Sequence, residues 1–285
     1  MTPSVSFEVF PPKESAGLVA LGETVTQLAV ARPSFVSVTY GAGGSDRQRS
    51  FDAIETVRRT GVGVAAHLTC VGQSRAAVRS VIARFDALGV RHIVALRGDP
   101  PHGIDAPYEP HPDGFTDTAD LVRAIKAERA DTTVTVSAYP ERHPQSPSFD
   151  HDLDVLAAKV DAGAERAMTQ MFFDNASFLD YRDRVRSRGI DVPIVPGIFP
   201  VHSFPAVARF AGRCGASIPT WFADRFAGLD DDRAGTAEVA AELAAAQIAE
   251  LAEHGVEHVH LYTLNRAELA LAVCERLGLV ERQPA

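Results

Sequence analysis

The sequence predicts one (β/α)8 barrel over residues 1–285, with extra helices ahead of the last strand, and three observations carry that expectation. Short apolar runs recur eight times, they are dense in Val, Ile, Phe and Ala rather than strictly alternating, and amphipathic segments fill the intervals. Parallel strands covered on both faces need such continuous apolar runs, and a spacing of about 30 residues between strand starts is the length of one βαβ unit. No Gly/Ser tract or composition break divides the chain, which favours a closed barrel over an open doubly wound sheet or two small domains. With 285 residues, 46% hydrophobic and 23% charged, the chain can bury a barrel-sized core.

The runs at 5–10, 35–40, 64–69 and 92–98 supply the first four strands, and those at 134–139, 167–173, 194–199 and 258–264 the other four. The clearest helix spans 74–88, where Val78, Val81, Ile82, Phe85 and Leu88 fall on one face, Ser74 caps the start and Gly89 the end. The longest interval separates the seventh and eighth strands. Its stripe of Val239, Leu243, Ile248 and Leu251 within 237–254 is the reason for expecting added helices there.

A net charge of −9, from 28 Lys plus Arg against 37 Asp plus Glu, argues against nucleic acid or an anionic membrane as a partner. Cys70, Cys214 and Cys274 have no CxxC spacing, so three buried thiols in a reducing compartment are expected. The chain opens without an export-type segment and holds no run of about 18 apolar residues. A cytoplasmic protein acting on small molecules is the expectation.

In this fold the active site lies where the loops after the strands converge. The polar residues at those ends are Glu8, Thr39, His67 with Thr69, Arg97 with Asp99, Tyr139 with Glu141 and His143, Gln170, and Tyr262 with Asn265 and Arg266. Glu8 stands in Ser-Phe-Glu-Val-Phe-Pro-Pro, where a desolvated carboxyl would have a raised pKa and suit a general acid. The alternative is a carboxylate that pairs with a neighbouring cation. Arg97 suits a phosphate and Asp99 a ring-nitrogen donor or a developing cation, against the alternative of a plain Arg97–Asp99 ion pair. Gly41-Ala42-Gly43-Gly44-Ser45 fails as a dinucleotide fingerprint because Asp46 occupies the sixth position. His67, His143, His92 and His102 lack metal-ligand spacing, so no metal is expected. Lys159 falls on a helix or just before the sixth strand, where a surface or phosphate contact is favoured over a Schiff base. Residue chemistry alone thus reaches a barrel enzyme with a carboxyl acid and a polar, phosphate-bearing ligand.

The same strand ends closely resemble those of the bacterial-type 5,10-methylenetetrahydrofolate reductases. The matching blocks are Ser-Phe-Glu-Val-Phe-Pro-Pro-Lys from residue 6, Phe-Val-Ser-Val-Thr-Tyr-Gly from 35, His-Leu-Thr-Cys from 67 and His-Ile-Val-Ala-Leu-Arg-Gly-Asp-Pro-Pro from 92. They continue with Ala-Tyr-Pro-Glu from 138, Lys-Val-Asp-Ala-Gly-Ala from 159, Thr-Gln-Met-Phe-Phe-Asp from 169, Ile-Val-Pro-Gly-Ile from 194 and Tyr-Thr-Leu-Asn-Arg-Ala-Glu from 262. Each block is modest, but the order and spacing are specific.

The resemblance implies a barrel that holds FAD, takes electrons from NADH or NADPH, and reduces methylenetetrahydrofolate in a ping-pong cycle that supplies methyl groups for methionine synthesis. Glu8 would be the general acid, Asp99 would face flavin and pterin, and Gln170 would hydrogen-bond the folate. Thr39, His67, Arg97, Gly98, Tyr139, His143, Asp152 and Lys159 would hold FAD, with Asp99 beside it and with Arg97 and Lys159 nearest the phosphates. Phe210, Tyr262, Leu264 and Arg266 would shape a site shared in turn by nicotinamide and folate. Val155 departs from the polar residue that some members carry near the adenosine end. The family also implies a homo-oligomer and, with the chain ending at Ala285, no control by S-adenosylmethionine. Two alternatives stand beside this reading: another flavin barrel such as a proline dehydrogenase-like oxidase, which folate-dependent flavin reoxidation would separate, and a catalytically silent folate- or flavin-binding barrel, which turnover would separate.

Overall fold

The computed structural model describes residues 2–41, 47–100 and 106–281. Among these residues nine short parallel strands alternate with helices: β1 Ser4–Val9, α1 Gly17–Leu28, β2 Val36–Val38, α2 Arg47–Arg59, β3 Val64–Thr69, α3 Arg75–Ala87, β4 His92–Leu96, α4 Thr118–Glu128, β5 Thr133–Ala138, α5 Phe149–Asp161, β6 Arg166–Thr169 and α6 Asn175–Ser187. The chain continues with β7 Ile194–Val195, β8 Gly197–Ile198, α7 Phe204–Cys214, α8 Thr220–Asp224, α9 Arg233–Glu253, β9 His258–Tyr262 and α10 Ala267–Arg276.

The sheet order β7-β6-β5-β4-β3-β2-β1-β9-β8 describes an eight-stave barrel, because β7 and β8 are two halves of one stave. Pro196 separates them. Lacking an N–H, proline cannot donate to a sheet ladder; β7 pairs with β6, β8 pairs with β9, and the Pro196 carbonyl accepts from the His260 amide at 2.9 Å. The predicted strand at 194–199 therefore closes the barrel by bonding one neighbour with each half.

Local chemistry accounts for the helices. Ser74 caps α3 by accepting from the Ala77 amide at 3.2 Å, and Val78, Val81, Ile82 and Phe85 are its buried face. Asp117, Ser148 and Asp174 cap α4, α5 and α6 in the same way. The helix expected at 237–254 begins earlier, as α9, because Asp232 accepts from the Gly235 amide at 2.9 Å and nucleates an additional turn. Together α7, α8 and α9 form the expected elaboration, packed over a small core of Phe173, Phe199, Val207, Phe222 and Phe226. The main core lies between the sheet and the outer helices.

Leu264 and Asn265, just after β9, have φ of 51° and 58°, a region most side chains avoid. Asn265 repays that conformation by clamping the Phe10 backbone, accepting from its N–H at 2.9 Å and donating to its carbonyl at 2.8 Å. The ends of β1 and β9 are thereby locked side by side. Cys70, Cys214 and Cys274 are buried and free. Among the described residues no helix is long and apolar enough to cross a membrane.

Candidate active site

The strand C-termini open into one cavity of about 1090 Å³. Glu8 lines it from β1, Thr39 from the end of β2, and His67 with Thr69 from β3. Arg97, Gly98 and Asp99 reach it after β4, Tyr139 and His143 after β5, Asp152 and Lys159 from α5, and Gln170 after β6. Phe210, Tyr262 and Leu264 complete the opposite wall. Arg266 is placed elsewhere: it sits at the N-cap of α10 and lines a separate small hollow that shares Tyr262 and Leu264 with the main cavity. The Gly41-to-Ser45 turn falls mostly outside the described residues, as does His102, although Gly41 itself lines the cavity.

The Glu8 side chain is 23% exposed, and burial pushes its carboxyl up from 4.5 to about 8. Its nearest basic neighbour is His67, whose Nε2 stands 3.5 Å from Oε2. Burial pushes His67 down to about 4, so that imidazole is neutral near pH 7 and Glu8 has no cationic partner there. Desolvation without a cationic partner favours the protonated form of the Glu8 carboxyl over an ion pair. A carboxyl with a raised folded-state pKa contributes stability that is fully present below about 4.5 and lost as pH rises through about 8. Glu8→Gln is therefore expected to match the unsubstituted protein in melting temperature near pH 5 and to exceed it at pH 9, by about 2–4 °C per kcal/mol of relieved burial. Thermal melts at the two pH values check this; a difference that does not change with pH would remove the raised pKa.

Arg97 is not paired with Asp99, which corrects that alternative. Its guanidinium donates to Gln145 Oε1 and lies 5.1 Å over the Tyr108 ring, while Asp99 stands exposed at the rim. Between them, Gly98 has φ +86°, and a Cβ there would meet Val71 and Thr69 at 2.6 and 2.9 Å, so glycine is required for the β4 end to turn along the cavity wall.

Lys159 is buried rather than on the surface. It points inward from α5, and Nζ donates to the Ser137 carbonyl at 3.0 Å and to Ser137 Oγ at 3.2 Å. Burial pushes its ammonium down to about 8, the Arg97 charge adds to the fall, and Asp152 opposes it. Among the described residues no carboxylate lies within ion-pair distance of it. Asp152 instead accepts from the His143 amide at 2.9 Å, and the His143 ring meets Tyr139 edge-on at 4.6 Å. Val155 lines this end of the cavity, 38% exposed.

The opposite wall is aromatic. Phe199 lies between Phe210 and Tyr262 at centroid distances of 6.0 and 6.1 Å. Tyr262 donates to the Thr169 carbonyl at 2.7 Å, and only glycine at 197 leaves room for this, since a Cβ there would meet Thr169 O at 2.3 Å and the Tyr262 hydroxyl at 2.7 Å. Gln170 Oε1 accepts from the Met171 amide at 2.9 Å.

Sequence reading passed over Phe199, Tyr108, Asp117 and Gln145, all of which line the cavity. Phe199 had a signal, as the last residue of a predicted strand. The other three lie in connections, where periodicity says nothing. Glu141, read as a strand-end residue, turns away to bind the Ser217 amide and hydroxyl, and Asn265 is the backbone clamp. Among the described residues no group of three His, Cys, Asp or Glu converges as a metal site. Thr39 Oγ1 and His67 Nε2 are buried without hydrogen-bond partners. Two orphaned polar atoms, a buried ammonium without a counter-charge and an aromatic wall fit a ligand with phosphates and a flat ring system, which is the make-up of FAD.

The family model described as methylenetetrahydrofolate reductase matches residues 1–278. The chain is 44% identical to 5,10-methylenetetrahydrofolate reductase of Escherichia coli strain K12 over 277 residues, covering 97% of this chain and 91% of that protein. It is 34% identical to methylenetetrahydrofolate reductase 1 of Schizosaccharomyces pombe, aligning 98% of itself with 47% of that longer chain. Among solved structures, a protein from Clostridium thermocellum that binds two copies of 5-methyl-5,6,7,8-tetrahydrofolic acid superposes with a TM-score of 0.67 at 12% identity, covering 98% of this chain and 95% of the other. That last likeness concerns the fold.

Proposed function

The chain belongs to the methylenetetrahydrofolate reductase family, and from that premise we propose that it binds FAD across the barrel mouth, takes electrons from NADH or NADPH, and converts 5,10-methylenetetrahydrofolate to 5-methyltetrahydrofolate in two alternating half-reactions, supplying methyl groups for methionine synthesis. The family match displaces the proline dehydrogenase-like alternative. The observation that carries the reading is Glu8, a carboxyl that burial holds near pKa 8 on the wall of a cavity sized for a cofactor and a second ligand.

When bound, FAD supplies the hydride chemistry, accepting from the nicotinamide and donating to the folate. The chain supplies grip, charge and a proton. Arg97 and Lys159 take the phosphates, while Thr39, His67, Gly98, Tyr139, His143 and Asp152 line the rest of the cofactor site. Glu8 holds a proton on its carboxyl for the folate nitrogen released as the methylene bridge opens, and its raised pKa keeps that proton in place at neutral pH. Asp99 opposes the positive charge that develops on the opened bridge. Gln170 hydrogen-bonds the folate, and Phe210, Tyr262 and Leu264 form the wall against which nicotinamide and folate lie in turn. Arg266 lines the neighbouring hollow behind Tyr262 and Leu264 and helps shape the site through those two residues.

The test is the visible spectrum of the purified protein, followed without oxygen as NADH or NADPH and then methylenetetrahydrofolate are added. A flavin band that bleaches with nicotinamide and returns with folate is expected; a protein that neither carries nor binds FAD overturns the reading. Asp99→Asn is expected to slow folate-dependent reoxidation by about 10²–10³-fold while flavin binding changes little. Stopped-flow and flavin titration measure the two, and loss of flavin with no separate kinetic defect would make Asp99 a structural residue.

A further inference from the structure

Barrels of this class fill their interior with layers of branched apolar side chains, yet here two neighbouring strands line it with hydroxyls and imidazoles. In the β1–β9 register, Ser4 faces His258, Ser6 faces His260 and Glu8 faces Tyr262. Alternate residues of a strand share a face, so these side chains form a ladder along the barrel axis. At its N-terminal end Ser4 is exposed; at its other end Glu8 lines the cavity.

The ladder is hydrogen-bonded. Ser4 Oγ and His258 Nδ1 are 2.7 Å apart, His258 Nε2 and Ser6 Oγ 2.9 Å, and Ser6 Oγ and His260 Nδ1 2.7 Å. His260 Nε2 then stands 4.0 Å from Glu8 Oε2, with Ser37 Oγ 3.4 Å away. Phe35 packs against the same imidazoles, stacked on His258 and His260 at 5.8 and 5.9 Å and edge-on to His92 at 4.6 Å. Burial keeps His258 and His260 neutral, and Arg166, His92 and His67, the basic groups that face them, push the same way. A hydroxyl between two neutral imidazoles donates to one and accepts from the other, and can do so in either sense.

We propose that Ser4, His258, Ser6 and His260 form a proton relay that recharges Glu8 from the N-terminal face of the barrel while ligands fill the mouth. This rests on the folate-reductase reading, in which Glu8 gives up one proton per turnover and bound ligands stand between it and solvent on the cavity side. A solvent proton binds Ser4 Oγ as the Ser4 proton passes to His258 Nδ1. The proton on His258 Nε2 passes to Ser6 Oγ, that of Ser6 passes to His260 Nδ1, and that on His260 Nε2 passes to Glu8 Oε2. One proton leaves solvent, one arrives on the carboxylate, and no imidazole retains charge. The last gap closes when the Glu8 carboxyl swings by about 1 Å toward hydrogen-bond distance. This transfer leaves both rings as Nδ1–H tautomers, and they return to the Nε2–H form when the mouth empties, as a proton from cavity water enters at His260 Nε2 and the transfers run in reverse to release one proton from Ser4 Oγ.

Ser6→Ala removes the central hydroxyl, and Ser6→Thr retains one. With the flavin-loaded protein reduced beforehand, a single folate-dependent reoxidation is expected at an unchanged rate in Ser6→Ala, because Glu8 starts protonated. Steady-state turnover is expected to fall about 10²-fold or more, within the range that positioned proton transfer contributes, and Ser6→Thr is expected to recover it. His258→Phe, which fills the space but carries no proton, provides a second break if Ser6→Ala folds poorly. In flavin-free protein, nitrogen NMR of the histidine rings is expected to show hydrogen-bonded signals for His258 and His260 that shift in Ser6→Ala. Equal slowing of single and multiple turnovers, no slowing at all, or absence of those ring hydrogen bonds would overturn the relay and leave the folate reading intact. No folate-dependent reoxidation in the unsubstituted protein would overturn both.

Discussion

Glu8→Gln is expected to leave flavin reduction by the nicotinamide nearly unchanged and to slow folate-dependent reoxidation by about 10²–10⁴-fold, the range that a positioned general acid contributes. Gln keeps the shape and the hydrogen-bonding capacity of the side chain but holds no transferable proton, so the loss isolates acid chemistry from packing. The unsubstituted protein should itself lose the folate half-reaction as pH rises through about 8, because the carboxyl must be protonated to act, whereas the nicotinamide half-reaction should show no such limb. Rapid-mixing measurements of the two half-reactions between pH 6 and pH 10, ~1 unit apart, decide it. Equal loss of both half-reactions in Glu8→Gln would assign Glu8 to the architecture of the site.

Lys159→Met is expected to weaken flavin binding by about 10–100-fold, the equivalent of one charge-assisted hydrogen bond, while folding is retained or improved. The reason is the desolvated ammonium: among the described residues Ser137 alone accepts hydrogen bonds from it, and an apolar side chain of similar length avoids that cost. A bound phosphate would restore a counter-charge and raise a pKa that now stands at about 8. Binding of FAD near pH 8 to 9 should therefore take up a proton, and the uptake should vanish in Lys159→Met. Calorimetry in buffers of different ionisation enthalpy reads both effects. Unchanged affinity and unchanged proton uptake would remove Lys159 from the phosphate site.

Much of the molecule was legible from the order of residues alone. Backbone hydrogen bonding is local or nearly so in a βαβ unit, and its apolar periodicity and caps are written in the same stretch of chain, as at Ser74 for α3. Once eight such units imply a barrel, strand ends become site positions by geometry, which is why Glu8, Arg97, Tyr139 and Tyr262 were found without knowing a contact and why they gather around one cavity. The family resemblance added Asp152 and Phe210, which lie on helices that no strand-end rule reaches.

Tertiary structure decided what depends on rotation and register. Whether Arg97 faced Asp99 or Gln145 turned on the conformation at Gly98, and whether Lys159 lay outside or beneath the cavity turned on the roll of α5 against β5. The two-faced stave needed Pro196 to sit between β6 and β9. The line of hydroxyls and imidazoles needed β1 to lie beside β9, strands joined only by barrel closure. In sequence Ser4, Ser6, His258 and His260 are four polar residues in two apolar runs at opposite ends of the chain. They meet because closing the barrel pairs its first and last strands, and a periodicity read along either one carries no information about its partner's register.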